Sequence, residues 1–242
     1  MEVKNGDIWQ LGRHRLMCGD CYSQSSRTAL LDGIVPDMLL SDPPYGIDWN
    51  TDYTRFSGGV RPSTNRYKKI VGDASPFDPT PFLGFKNVVL WGANHYADKL
   101  PKGSWLVWDK RFKNGKAFLA DGEVAWTNHG RGVYIKSITN QGFVSPDGRR
   151  YHPTQKPVKL FEWCIERLKH KPNILYDPFL GSGTAILAAE ATGKTCYGFE
   201  IDPQYCSIIL DRYTAATSIE PVLLNHNDFG NNGPDSAAAA TA

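Results

Sequence analysis

The stretch Asn173 to Asp202, NILYDPFLGSGTAILAAEATGKTCYGFEID, decides the fold. Its opening apolar run, Asn173 to Tyr176, reads as a buried strand; the small-residue loop Asp177 to Thr184 then leads into an apolar helix reaching Ala191. Gly193 turns the chain into a second apolar run, Thr195 to Phe199, and another helix is expected from Pro203. Strand, loop, helix and strand in so short a span make a β-α-β unit, which implies a parallel sheet.

The loop inside this unit points to a ligand. Gly181-Ser182-Gly183 lies between strand and helix, where missing side chains let a ligand approach the backbone at the carboxyl edge of the sheet. No lysine follows the glycines, which excludes a triphosphate P-loop, and Leu180 stands where a nucleophile elbow requires glycine. Glu200 ends the next strand, and an acid at that place accepts hydrogen bonds from ribose hydroxyls. The pair indicates a nucleoside-containing cofactor; the alternative is a tight structural turn beside a surface acid. A nicotinamide dehydrogenase is disfavoured, because the third glycine of the dinucleotide fingerprint is missing.

Upstream, residues 7–20 read as two short apolar runs around a turn at Gly12, and Val35 to Ser41 as a buried strand. Further strands are expected at Asn87–Trp91, Ser104–Trp108, Glu123–Trp126 and Val133–Ile138. An amphipathic helix is expected from Pro157 to His170, with Thr154 available as its cap.

The Val35–Ser41 run stops at Asp42-Pro43-Pro44-Tyr45. Each proline fixes its own φ and pushes the residue before it toward extended geometry, so Asp42 and Pro43 are held stiffly at the strand end. The Asp42 carboxylate and the Pro43 carbonyl are two acceptors suited to a group with two N–H donors, such as the exocyclic amine of a nucleobase. Tyr45 offers a flat face for stacking, and the combination suits a flipped-out base. A proline turn with an incidental acid is the competing explanation.

SDPPYG (Ser41–Gly46), HPTQKP (His152–Pro157), DPFLGSGT (Asp177–Thr184) and GFEIDP (Gly198–Pro203) together resemble the amino-group DNA methyltransferases that use S-adenosylmethionine. The Pro-Pro motif precedes the glycine motif, as in the circularly permuted β-class arrangement. The resemblance implies an α/β, Rossmann-like methyltransferase fold: a mostly parallel twisted sheet with helices on both faces. It implies Asp42, Pro43, Pro44 and Tyr45 as the catalytic corner. Asp177, Phe179, Gly181, Ser182, Gly183 and Thr184 would line the cofactor's methionine end with Thr154 and Lys156 nearby, Glu200 would take the ribose, and Asp20 would meet the adenine side. Asp before the two prolines goes with adenine N6 as the target and Ser with cytosine N4, so adenine is expected and cytosine is the alternative. A catalytically inactive DNA-binding module retaining the fold is the reading from another class.

Double-stranded DNA is the implied partner, and the resemblance admits a homodimer and a restriction endonuclease counterpart. The span around 52–72 is a flexible basic loop in which Arg55, Arg61, Arg66, Lys68 and Lys69 would grip phosphates. A second basic cluster, Lys110, Arg111, Lys113 and Lys116, opens a short target-recognition insertion around 110–150, and its shortness suggests a short or relaxed recognition sequence. Residues 1–229 are expected to form one methyltransferase domain, and 230–242, lacking any apolar period, a disordered tail.

Bulk properties fit this picture. The chain has 242 residues, 41% hydrophobic and 21% charged, with a net charge of +2, so overall charge neither demands nor excludes nucleic acid. The N-terminus does not resemble a signal peptide, and no apolar run is long enough to suggest a membrane span, so a cytoplasmic protein is expected, and the family resemblance implies that it is bacterial or phage-encoded. Five cysteines, an odd number, argue for reduced and mostly buried thiols. Cys18 and Cys21 form a lone C-x-x-C with no second pair, and no metal is expected there.

Overall fold

The structure is a computed structural model, and it describes residues 1–52, 68–111, 115, 120–139, 151–152, 154–168 and 171–224. Among the described residues, ten strands and four α-helices follow one another. β1 (Ile8–Leu11) and β2 (His14–Cys18) form a hairpin, followed by α1 (Gln24–Leu31), β3 (Met38–Ser41), β4 (Asn87–Trp91), β5 (Ser104–Asp109), β6 (Gly122–Thr127) and β7 (Val133–Ser137). After α2 (Val158–Arg167) come β8 (Ile174–Asp177), α3 (Thr184–Ala191), β9 (Thr195–Glu200), α4 (Pro203–Thr217) and β10 (Val222–Leu224).

All ten strands join one sheet in the order β10-β1-β2-β9-β8-β3-β4-β6-β5-β7. The five central strands, β2, β9, β8, β3 and β4, run parallel, whereas β1 and β6 pair antiparallel with both of their neighbours. Central parallel strands are covered on both faces and therefore read as continuous apolar runs. β4, NVVLW, is buried at all five positions, and its residues alternate between two cores. Val89 and Trp91 pack with Leu160, Phe161, Ile186 and Ile209 of the helices α2, α3 and α4. Val88 and Leu90 pack on the other face with Leu30 of α1 and with Phe77, Phe82 and Tyr96. The Rossmann-like α/β fold with helices on both faces is thus present.

Several local expectations need correction. The third strand begins at Met38, and Val35 is 83% exposed. Asp37 turns the chain there: its carboxylate accepts the backbone N–H groups of Asn173 and Ile174 at 3.1 Å. Thr154 does not cap α2; Pro157 occupies the cap position in extended geometry without a side-chain cap. A residue before proline is pushed out of the helical region, so the helix cannot extend back through Lys156. α2 ends at Arg167 because Leu168 is extended (ψ 133°). α1 and β10 were not anticipated. β6 and β7 take up 122–137 of the proposed recognition insertion. Arg55, Arg61, Arg66, Lys113, Lys116 and the 230–242 tail lie outside the described residues. Among the described residues, no helix is long and apolar enough to cross a membrane, and all five cysteines are free and buried.

Because the central strands are parallel, their carboxyl ends share one edge. Gly19-Asp20 after β2, Asp42 after β3, Gly92 after β4, Asp177 ending β8 and Glu200 ending β9 all line a single cleft there. That edge is where open α/β sheets place their ligands.

Candidate active site

Asp42 follows the last residue of β3 and is 14% exposed. Its Oδ2 accepts from Lys156 Nζ at 2.5 Å, and its Oδ1 accepts from the Tyr45 hydroxyl. Burial raises the Asp42 pKa, and the Lys156 charge opposes that rise. The Tyr45 ring stacks on His95, with centroids 4.9 Å apart and planes 15° from parallel. Gly92, at φ +71°, lies against the same ring: a Cβ there would sit 1.9 Å from a Tyr45 ring carbon. The chain beyond Tyr45 is fixed by Asp73, whose buried carboxylate accepts the N–H groups of Gly46 at 2.9 Å and Trp49 at 2.7 Å. Neither His95 nor Asp73 was singled out from the sequence, since both act across the fold on a motif distant in the chain.

Lys156, expected near the cofactor's methionine end, lies in the cleft but is engaged by two acids: it is 3% exposed, with Asp42 on one side and Glu123 Oε2 at 2.8 Å on the other. Burial works against its charge, but Asp42 and Glu123 outweigh burial and raise its pKa. Glu123, on β6, also pairs with Lys110. Burial alone would lift the Glu123 carboxyl, yet the Lys156 and Lys110 ammonium groups hold it down at about 2. The only sequence signal for Glu123 was an acid at the start of an otherwise apolar strand.

The glycine loop is organised by two acids. Asp177 Oδ1 accepts the Ser41 hydroxyl at 2.6 Å and the Phe179 N–H at 3.0 Å, and burial pushes its carboxyl up to about 7. Glu200 Oε2 accepts the Gly181 N–H at 2.8 Å and Oε1 the Asp202 N–H at 2.9 Å; burial lifts this carboxyl to about 7 as well. Gly181 (φ +55°) faces the His152 ring, which a Cβ there would meet at 3.9 Å. Gly183 (φ +83°) instead turns toward α4, where a Cβ would press on Ile209 at 3.0 Å. Ser182 and Thr184 are buried, with the Ser182 carbonyl accepting from Arg212 at 2.5 Å and the Thr184 hydroxyl donating to the Lys156 carbonyl at 3.1 Å. Thr154 folds onto His152 Nδ1 at 3.1 Å, and Asp20 holds the Tyr22 N–H at 2.8 Å, both still on the cleft wall. Phe179 meets Phe77 and Phe82 edge-on at 5.9 and 5.7 Å, forming an aromatic wall.

The described cations sit differently from the expected DNA-binding set. Lys110 is only 12% exposed, bonded to Glu123 and 4.7 Å over the Trp108 ring, so it belongs to the buried cluster and not to an open phosphate grip. Arg111 closes back on Asp109 through bonds of 2.9 and 3.1 Å. Lys68 and Lys69 are exposed and make loose pairs with Asp202 at 3.4 Å and Asp48 at 3.2 Å, contacts that phosphates can displace at little cost.

The corner, the charged cluster and the glycine loop share one cleft of about 1130 Å³. A family model described as DNA methylase, of the N6/N4 type, matches residues 93–211. The chain is 34% identical over 216 residues to the type II methyltransferase M.HpaI of Haemophilus parainfluenzae, covering 73% of this chain and 67% of that protein. It is 27% identical over 208 residues to the Escherichia coli (strain K12) protein named "Putative methylase YubD", covering 79% of this chain and 86% of that one. Among solved structures, the PvuII DNA methyltransferase (cytosine-N4-specific) aligns with a TM-score of 0.48 at 15% identity, over 83% of this chain and 86% of that one. On the strength of the M.HpaI match, the chain belongs to the amino-group DNA methyltransferases, enzymes that take their methyl group from S-adenosylmethionine.

Proposed function

We propose that the chain methylates the exocyclic N6 of adenine in double-stranded DNA, acting on a base turned out of the helix into the cleft. The observation that carries the reading is Asp42, a carboxylate held at the end of β3 between Lys156 and Tyr45, with the glycine loop across the same cleft.

The residues present fit S-adenosylmethionine. Gly181 puts no side chain of its own between its backbone and the His152 ring, which a Cβ would meet at 3.9 Å, and Phe77 and Phe179 supply apolar ring surface on the cleft wall. In this reading the loop Asp177 to Thr184 holds the methionine end with Thr154 and Lys156 nearby, Glu200 the ribose hydroxyls, and Asp20 the adenine side. When bound, the cofactor supplies a methyl carbon on a positively charged sulfur and needs neither metal nor a covalent link to the protein.

The remaining work is orientation. An aromatic amine is a poor nucleophile because its lone pair is delocalised into the ring. Accepting its N–H groups at Asp42 and the Pro43 carbonyl favours a pyramidal nitrogen with a localised lone pair aimed across the cleft. The nitrogen becomes acidic only once methylated, and Asp42 is then the nearest acceptor for the released proton. Tyr45, backed by His95 and set by Gly92, supports the ring of the base. Asp in front of the two prolines is what favours adenine.

Digestion of DNA methylated by the enzyme, followed by mass analysis of the nucleosides, tests the choice of base. N6-methyldeoxyadenosine supports the proposal, and N4-methyldeoxycytidine as the sole product overturns it.

A further inference from the structure

Four buried or half-buried charged groups form a chain of alternating sign from the reaction corner to the wall of the cleft: Asp42, Lys156, Glu123 and Lys110. The first two lie in motifs. Glu123 and Lys110 lie in none of them and come from β6 and the end of β5.

Both Asp42 oxygens already receive protein donors, Tyr45 on Oδ1 and Lys156 on Oδ2. An arriving amine therefore meets a carboxylate whose negative charge an ammonium already holds at 2.5 Å. An ammonium released from a buried carboxylate needs another anionic partner, since an unpaired buried charge costs several kcal/mol. Glu123 is that partner, already 2.8 Å from the same nitrogen.

We propose that Glu123 is a positioning residue for methyl transfer: it gives Lys156 a second anionic seat, so that Lys156 can yield Asp42 to the target amine. Lys110 balances Glu123 from the far side and keeps it from drawing Lys156 off Asp42 in the resting enzyme. The inference rests on Asp42 being the amine acceptor. The other groups facing Asp42 are Tyr45 from its own corner, Tyr96 beyond β4 and Asp177 from β8, with His95 behind Tyr45.

The test is the pH profile of kcat, because Asp42 must be ionised to accept. Glu123→Gln removes a negative neighbour and leaves Lys156 to Asp42 alone. The acid limb is then expected to move to lower pH while the plateau falls about tenfold or more, with KM for S-adenosylmethionine unchanged. Lys110→Met leaves Glu123 free to pull Lys156 away, and the limb moves to higher pH. In a Lys156→Met background Glu123→Gln is expected to add no further loss, because its effect passes through Lys156. An unmoved limb in both single variants, or an equal loss from Glu123→Gln with and without Lys156, overturns the inference. If instead the reading of Asp42 is wrong, Asp42→Ala keeps its activity; failure of the present inference alone leaves Asp42→Ala inactive.

Discussion

Ser41 donates its hydroxyl to Asp177 Oδ1 across 2.6 Å, tying the strand that ends in the Asp-Pro-Pro corner to the strand that ends in the glycine loop. The two residues stand 136 positions apart in the chain. In the proposed reading this bond gives the half of the site that would hold the amine and the half that would hold the cofactor one shared support. Ser41→Ala leaves Asp177 Oδ1 with the Phe179 N–H alone and raises further a carboxyl that burial already holds at about 7. We expect affinity for S-adenosylmethionine to fall about tenfold, read by calorimetry, as for one lost hydrogen bond to a buried acid. Unchanged affinity would show that the support is dispensable.

Asp177 and Glu200 also set a pH dependence of stability. Burial raises both folded-state values to about 7, from ordinary values of 3.8 and 4.5. Between those limits the folded chain keeps protons that the unfolded chain has lost. Stability contributed by these groups therefore falls as pH rises through that window and is level above it. Urea denaturation from pH 4.5 to 8 should show a shallower decline in Glu200→Gln than in the parent. A ribose hydroxyl donating to Glu200 favours its ionised form, so cofactor binding near pH 7 should release a proton, seen as a dependence of the binding heat on buffer.

Gly92 is sterically constrained beside the corner. At φ +71°, with the Tyr45 ring where a Cβ would stand, Gly92→Ala must displace that ring or the end of β4. The expected result is a loss of kcat of about a hundredfold with cofactor affinity near that of the parent, because the glycine loop is anchored separately. Parent-like turnover would argue against a role for Tyr45 in holding the base.

His14 provides a stability switch of opposite sign. Its Nδ1 accepts the Cys196 N–H at 3.0 Å, so the ring proton sits on Nε2 and is donated to Glu190 Oε2 at 2.8 Å, which the Tyr213 hydroxyl also reaches at 3.0 Å. Burial lowers the His14 pKa below 6.5 despite that carboxylate. The neutral ring is favoured in the folded chain, and the stability this contributes is lost as pH falls below 6.5. His14→Phe should remove that acid-side loss and cost about 1–3 kcal/mol at neutral pH, from the unsatisfied Cys196 N–H, while Glu190 keeps Tyr213 and Arg13. A parent-like denaturation midpoint at pH 7.5 would contradict this.

What the sequence showed and what it hid follow from the range of the interactions. β3 and β4 were legible because burial on both faces forces a run of apolar residues into a short segment. The four motifs were legible because proline stiffness and glycine freedom are local properties. α1, QSSRTALL, escaped notice because it buries only Leu30 and carries a weak apolar face. β10 is a three-residue edge strand that takes its register from β1. The HPTQKP motif marked Lys156 as a site residue, but its ion pairs with Asp42 and Glu123 could not be read, because both acids lie far away in the chain. Lys110 reads as a phosphate contact because Glu123, its partner, sits on another strand, whereas the Arg111 partner Asp109 stands only two positions away. Local conformational rules were readable, whereas charge pairing required the fold.

The central claim is that the corner at Asp42 carries methyl transfer to DNA, and transfer of a labelled methyl group from S-adenosylmethionine to plasmid DNA tests it most directly. The parent enzyme is expected to label the DNA. Asp42→Ala is expected to lose about a hundredfold or more of that rate while still binding the cofactor in calorimetry, since it removes the group that organises the transition state. Label transferred by Asp42→Ala at the parent's rate would contradict the account.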